Sequence, residues 1–371
     1  MFAVWQAAAA PYAAMVIDAR SGKVLHARNA DTQLHPASLT KMMTLYIAFE
    51  ALKRGEISLD TVVTITSKAA AEPPSKLGLR TGQKIKFRYL IRAAAIKSAN
   101  DGATAIGIAI SGSEAAFARR MNRTAKALGM TRTHFKNANG LTESGHLSTA
   151  RDMTTLGRHL FFDHPDYYNL FSRRTADAGM RQVNNTNTRF LNSYRGADGI
   201  KTGYTRAAGF NLVASAERGS ERIITTVFGG RSTASRNAKV AELMDLGFRR
   251  APSRVAVRKP APPAYVAEAP AMNASGTGIA AGKTIRLVTA VKKSPRPLAR
   301  PGIAEPEPVL TAQLTAITEG ITEAVAEVAR ADTQITQVPI TAPITAPVAP
   351  PATKVALRGG DIAPASAVAP P

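Results

Sequence analysis

The chain reads as an α+β protein: an antiparallel β-sheet flanked by helices, with an all-helical subdomain inserted into it and a largely disordered tail behind it. Three observations predict this. β-rich runs stand at both ends of the first 250 residues and helix-patterned runs fill the middle, so the strands of one sheet come from both ends of the body. The runs at each end are joined by short polar turns containing glycine, as in antiparallel hairpins. Composition then changes near Arg250: 18 of the 23 prolines lie beyond it, with one aromatic residue, Tyr265.

Tyr12–Asp18 and Lys23–Arg28 are β-rich and separated by Ala19-Arg20-Ser21-Gly22, a hairpin signal. Ser38 to about Leu52 is apolar and helical, closed by Arg54-Gly55. Thr61–Thr66 predicts a strand. Phe87–Ile96, Ala103–Ile110, Glu114–Leu128 and Thr149–Phe162 predict helices. Phe210–Ala216 and Arg222–Phe228 are strand-like and joined by Glu217-Arg218-Gly219-Ser220-Glu221, a second hairpin, and Asn237 to about Phe248 predicts a closing helix.

The tail, residues 252–371, is rich in Ala, Pro and Thr and has too few large apolar groups to offset the entropy of ordering it. One stretch differs. Leu310, Leu314, Ile317, Ile321, Val325 and Val328 recur with helical spacing, which predicts an amphipathic helix over 310–330. Its polar face carries Glu319, Glu323 and Glu327, where a helix lying on a membrane normally carries Lys or Arg. At the other end, Met1–Ala10 finishes in small residues like a signal-peptide cleavage region, although it has no basic n-region; it is expected to be a signal-peptide remnant. Residues 11–251 form the expected catalytic body.

Composition narrows the chemistry. The absence of cysteine in 371 residues removes disulfides, thiol nucleophiles and thiolate-held metals. No run of about 18 apolar residues exists to form a spanning helix. The net charge of +22, mostly in the body, suggests an anionic partner: nucleic acid, anionic lipid or an acidic polymer. His159 and His164 lack a third ligand at metal-binding spacing, and no Gly-x-Ser-x-Gly elbow or phosphate loop opens a helix.

Three short motifs carry chemistry. Ser38-Leu-Thr-Lys41 puts a hydroxyl and an amine on one face of a helix start, so that the amine can act as base to the serine if its pKa is depressed. The same pattern also suits an N-cap serine followed by a surface lysine. Ser98-Ala99-Asn100 follows an apolar helix and can aim a hydroxyl and an amide at a substrate, or simply form a turn. Lys201-Thr202-Gly203 precedes the second hairpin. In a strand Lys201 and Thr202 point to opposite faces unless the strand borders a cleft at the sheet edge, while Gly203 admits close backbone approach.

Each motif alone is weak; their order is specific. Pro36-Ala-Ser38-Leu-Thr-Lys41-Met-Met-Thr44, Lys97-Ser98-Ala-Asn100-Asp-Gly-Ala103 and Asp198-Gly-Ile-Lys201-Thr-Gly-Tyr-Thr205 resemble signatures of the low-molecular-mass penicillin-binding proteins, the serine-type D-alanyl-D-alanine carboxypeptidases. So do Asn139-Gly140-Leu141, Ser148–Met153, Asn211–Ala216 and Gly229-Gly230. The resemblance covers about residues 12–250. It implies the penicillin-binding/β-lactamase-like transpeptidase fold and a reaction needing no cofactor and no metal. By the same resemblance, Ser38 is acylated by the D-Ala-D-Ala end of a peptidoglycan stem peptide, Lys41 is the general base, and Ser98 relays protons. Asn100 binds the substrate amide, and Lys201, Thr202 and Arg236 hold the terminal carboxylate. Gly203 borders the substrate, and the backbone N–H groups of Ser38 and Tyr204 form the oxyanion hole. His146, in the Asn139–Ser148 loop, is a candidate for the deacylation base. β-Lactam antibiotics are expected as covalent inhibitors.

A peptidoglycan substrate implies export, to the periplasm or the outer face of the cytoplasmic membrane, with peripheral membrane or cell-wall association and no nucleic acid partner. Alternatives on the same residues are a β-lactamase, a cross-link endopeptidase, or a non-catalytic binder of acidic cell-wall polymer.

Overall fold

The computed structural model of the protein describes residues 11–264. The expected leader at 1–10 and the amphipathic helix at 310–330 lie outside the described residues. The chain opens with β1 (Ala13–Asp18), β2 (Val24–Arg28) and α1 (Lys41–Lys53), followed by β3 (Val62–Thr64), α2 (Ser67–Ala70), β4 (Lys84–Lys86) and α3 (Phe87–Arg92). Then come α4 (Asn100–Ser111), α5 (Glu114–Ala127), α6 (Ala150–Asp163), α7 (Pro165–Tyr168), β5 (Thr175–Asp177), β6 (Gln182–Asn184) and α8 (Thr188–Ser193). The body closes with β7 (Ala197–Thr205), β8 (Gly209–Arg218), β9 (Glu221–Gly230) and α9 (Thr233–Arg250).

One antiparallel sheet has the order β2-β1-β9-β8-β7, so the first and last strands of the body pair at its centre. The period-2 alternation of β1 explains how both faces are covered. Ala13, Met15 and Ile17 join the core shared with Met42, Ile224 and Phe228, whereas Ala14 and Val16 join that of Val240, Leu243 and Met244 on α9. Burying each large apolar side chain of this kind contributes about 1.5–3 kcal/mol. The inserted helices centre on α1, which is apolar all round and buried from Lys41 to Phe49. Side-chain caps fix the helix starts: Ser113 accepts from Ala116 N–H, Thr149 from Asp152 N–H, and Ser232 forms a capping box with Ser235.

The predicted helices and hairpins are present, with three differences. The helix expected from Ser38 begins as a 3-10 turn (Ala37–Thr40) before α1. The helix expected through Ile96 ends at Arg92 and continues as a π-helical turn, Ala93–Lys97. The short strands β4, β5 and β6 and the short helices α2, α7 and α8 were not anticipated, because three-residue strands and helices of four to six residues carry too few periods to register in sequence.

Residues 252–264, read from composition as the start of the tail, lie extended along the body. Arg20 Nη2 donates to Pro252 O at 2.6 Å, Arg258 N–H donates to Arg20 O at 2.8 Å, and Arg158 donates to Arg258 O. Pro263 and Ala264 border a cleft with Tyr46, Ile47 and Glu50 of α1. Proline suits such a strap, because its backbone is pre-extended and the strap is held mainly through its carbonyls.

Candidate active site

The site begins where the 3-10 turn enters α1. Lys41, its first helical residue, is fully buried. Its Nζ lies 2.9 Å from Ser38 Oγ, 2.7 Å from Asn100 Oδ1 and 2.6 Å from Asn139 O. A neutral amine has two N–H groups and one lone pair. The two oxygens from Asn100 and Asn139 take the hydrogens and the lone pair faces the serine hydroxyl. An ammonium donates to all three oxygens, so the same geometry suits the amine with or without the extra proton. Burial pushes the Lys41 pKa well below the usual lysine value and the charge of Lys201 adds to this, while Glu72 and Asp101 act in the opposite direction.

Ser98 caps the π-helical turn in the left-handed conformation, φ 61°. This unusual backbone turns its hydroxyl toward the sheet, where Lys201 Nζ donates to Ser98 Oγ at 2.7 Å. Asn100 opens α4. Its Nδ2 donates to Pro73 O at 2.9 Å, which leaves Oδ1 facing Lys41. The next residue, Asp101, is buried and accepts from the N–H groups of Leu77, Gly78 and Leu79. That carboxylate ties down the loop containing Pro74 and Ser75, which forms one wall of the cavity.

β7 is an edge strand; Thr202 borders the cleft, and Lys201, which alternates with it along the strand, is buried behind Ser98 of the cleft wall. Thr202 Oγ1 lies 2.8 Å from Thr186 Oγ1. Lys201 is 1% exposed, and burial, reinforced by Arg236, brings its pKa to about 7. Burial lowers Arg236 to about 10; its Nη1 donates to Asn211 O at 3.2 Å. Gly203 is needed because a Cβ there would stand 2.9 Å from Pro36 O and 3.2 Å from Ser38 N. The strand backbone thus lies against the backbone of Ser38. Asn211 Nδ2 fastens the two by donating to His35 O and Pro36 O at 3.1 and 3.3 Å.

These groups surround a cavity of about 350 Å³ bordered by Ser38, Ser98, Asn100, Thr202, Gly203, Tyr204 and Arg236, among others. The structure therefore brings the three motifs and Arg236 together. A hydroxyl with a deprotonable buried amine on one side and cationic groups on the other can attack a carbonyl next to a carboxylate.

Residues 2–232 match the family model described as D-alanyl-D-alanine carboxypeptidase, peptidase family S11. The chain belongs to that family. It is 39% identical over 240 residues to the D-alanyl-D-alanine carboxypeptidase DacF of Bacillus subtilis (strain 168), covering 63% of this chain and 61% of that protein. It is 40% identical over 242 residues to DacA of Escherichia coli (strain K12), covering 63% and 60%. The match thus spans about three fifths of the length of these curated relatives. Among solved structures, penicillin-binding protein D2 from Listeria monocytogenes in its ampicillin-bound form superposes with a TM-score of 0.59 at 33% identity, over 64% of this chain and 96% of that one. The α+β class with inserted helices read from the sequence is the fold this family shares.

One expectation from the sequence needs correction: His146, a candidate deacylation base, is not one. It is 1% exposed, its Nδ1 accepts from Lys136 N–H at 3.2 Å, and its Nε2 therefore carries the hydrogen, 2.9 Å from Thr40 Oγ1. No lone pair is left to accept a proton, and burial brings the pKa to about 3. Asn139 and Asn211 also lie in the sequence motifs, but only the fold shows what they do. The first offers Lys41 a main-chain oxygen, which no side-chain pattern can reveal, and the second acts on backbone far away in sequence.

Proposed function

We propose that this family member is a serine-type D,D-carboxypeptidase that removes the terminal D-alanine from peptidoglycan stem pentapeptides and is acylated by β-lactams. Lys41 carries the reading: a fully buried amine with a depressed pKa, 2.9 Å from Ser38 Oγ.

The substrate carboxylate pairs with Lys201, Thr202 and Arg236, and Asn100 holds the amide of the peptide. Ser38 Oγ attacks the carbonyl carbon of the penultimate D-alanine while its proton passes to Lys41 Nζ. The oxyanion forms between the backbone N–H groups of Ser38 and Tyr204, a position supported by the close approach of Gly203 to Ser38 N. The C–N bond then breaks as the amine nitrogen takes a proton through Ser98, and D-alanine leaves. Lys41, neutral again once that proton has gone, is the base within reach of the ester for an attacking water. The acid is released and Ser38 regains its proton. The substrate lies outside the cytoplasmic membrane, so the enzyme works after export, in the periplasm or on the membrane's outer face.

A β-lactamase reading lacks support, because no Asp or Glu borders the cavity to position a deacylating water. The test is labelling by a fluorescent penicillin together with D-alanine release from a pentapeptide. Wild type labels and releases D-alanine; Ser38→Ala does neither. Folded wild type that fails to label removes the reading, and rapid penicillin turnover without D-alanine release replaces it with a lactamase.

A further inference from the structure

One buried carboxylate stands behind the site with no part in the reaction as described. Glu72 follows α2 and precedes Pro73, in the loop whose next residues, Pro74 and Ser75, border the cavity. It is 6% exposed. Holding an acid there costs desolvation energy, which its contacts have to offset.

Those contacts lead to Lys41. Asn100 and Thr104 are four residues apart and share a face of α4. Asn100 Nδ2 donates to Pro73 O at 2.9 Å, and Thr104 Oγ1 donates to Glu72 Oε1 at 2.9 Å. Thr104 Oγ1 in turn accepts from Asn139 Nδ2 at 3.0 Å, while Asn139 Oδ1 accepts from Leu141 N–H at 2.9 Å. The Asn139 side chain is thus held at both ends, which steadies the main-chain carbonyl that receives Lys41. Both oxygens that take the Lys41 hydrogens, Asn100 Oδ1 and Asn139 O, are therefore tied to the pair Glu72-Pro73.

The charge has a place as well. Acylation turns Lys41 into an ammonium in a fully buried position, and burial and the charge of Lys201 on β7 both oppose that. Two carboxylates act the other way, Glu72 and Asp101 of α4. Asp101 already accepts from the N–H groups of Leu77, Gly78, Leu79 and Gly102, which spread its charge over the wall loop. Around Glu72, Lys68 of α2 and Lys41 favour the ionised carboxylate, whereas burial and Glu114 of α5 oppose it.

We propose that Glu72 is a positioning residue for acylation: through Thr104 it steadies the Asn139 carbonyl that receives Lys41, and its carboxylate is the counter-charge to the ammonium that Lys41 becomes. The inference rests on the reading in which Lys41 is the base for Ser38.

The test is the pH profile of labelling by a fluorescent penicillin. The acid limb reports the group that must lose its proton, Lys41, and the alkaline limb the group that must keep one, Lys201. Glu72→Gln keeps the size and an acceptor oxygen and removes the charge. Without the counter-charge the ammonium is less favoured, so the acid limb moves to lower pH by about 0.5–1 pH unit. The alkaline limb stays, because Lys201 is governed by burial and Arg236. An acid limb that stays in place in folded Glu72→Gln, or two limbs that move together, overturns the inference. Thr104→Val, equal in size, cuts the relay and slows labelling on the plateau about fivefold, the worth of one hydrogen bond; Thr104→Ser restores it. If Glu72→Gln fails to fold, labelling of Thr104→Val at the wild-type rate overturns the inference instead. Folded wild type that does not label removes the acyl-enzyme reading itself and takes this inference with it.

Discussion

Gly140→Ala drives a methyl group into the backbone that carries the nucleophile. Gly140 has φ +86°, and an added Cβ would stand 1.9 Å from Ala37 O and 2.9 Å from Thr40 Oγ1. Because real Cβ contacts stay beyond 3.0 Å, the two backbones must separate by about 1 Å. That moves the turn holding Ser38 and also the Asn139 carbonyl that receives Lys41. The left-handed backbone costs a non-glycine residue about 1–2 kcal/mol, and overpacking a rigid site adds about 1–3 kcal/mol or more. For a domain of this size, each kcal/mol shifts the melting temperature by about 2–4 °C, giving a fall of roughly 4–20 °C. Displacing the serine by about 1 Å costs about 100-fold in acylation. Gly145→Ala is the control. Its φ is +76°, but the nearest atom to an added Cβ is the flexible Lys136 Cε at 3.5 Å, so only the backbone term applies, about 2–8 °C. Both are measured by thermal melting and by the rate of fluorescent penicillin labelling. If Gly140→Ala labels within threefold of wild type and melts with Gly145→Ala, the close-approach argument is wrong.

Two further outcomes follow from the packing. The His146 pKa is about 3 in the fold against an ordinary value of 6.5, so the unfolded chain takes up its proton first on acidification; the stabilisation is full above pH 6.5 and is lost as pH falls toward 3. Between pH 7 and 5 wild type is expected to lose about 2 kcal/mol more unfolding free energy than His146→Gln, with deacylation rates alike; a selective loss of deacylation in the variant would restore His146 as a base. Ending the chain after Ala251 removes the carbonyls that Arg20 and Arg158 hold, at a cost of about 1–3 kcal/mol. The 1–251 protein should melt about 2–12 °C below the 1–264 protein, and equal melting temperatures would show that the strap contributes nothing.

Much of the fold was legible because it depends on short-range pattern. The β-rich runs Tyr12–Asp18 and Phe210–Ala216, helical spacing in Glu114–Leu128 and Thr149–Phe162, and the placement of hairpins at both ends of the body are local properties. The site was legible to the extent that its chemistry resides in side chains grouped in short motifs, as Ser38 with Lys41 and Ser98 with Asn100. The strap at 252–264 was misread because composition measures average apolarity, whereas the strap is fastened by arginines acting on its backbone carbonyls.

The sequence by itself placed Ser38 beside Lys41, grouped the other candidate side chains in short motifs, and fixed the long helices and the hairpins at both ends of the body. Only the tertiary structure decided what those residues are electrically. Lys201 and Ser98, 103 positions apart, meet within 2.7 Å, and Lys41 and Asn100 meet within 2.7 Å across 59 positions. Burial at these contacts strips water from two amines and lowers their pKa values, a property that depends on what surrounds each group and is absent from any local stretch of chain. The same packing made His146 a neutral strut instead of a base, and put Thr202 on the cleft and Lys201 against Ser98 of its wall.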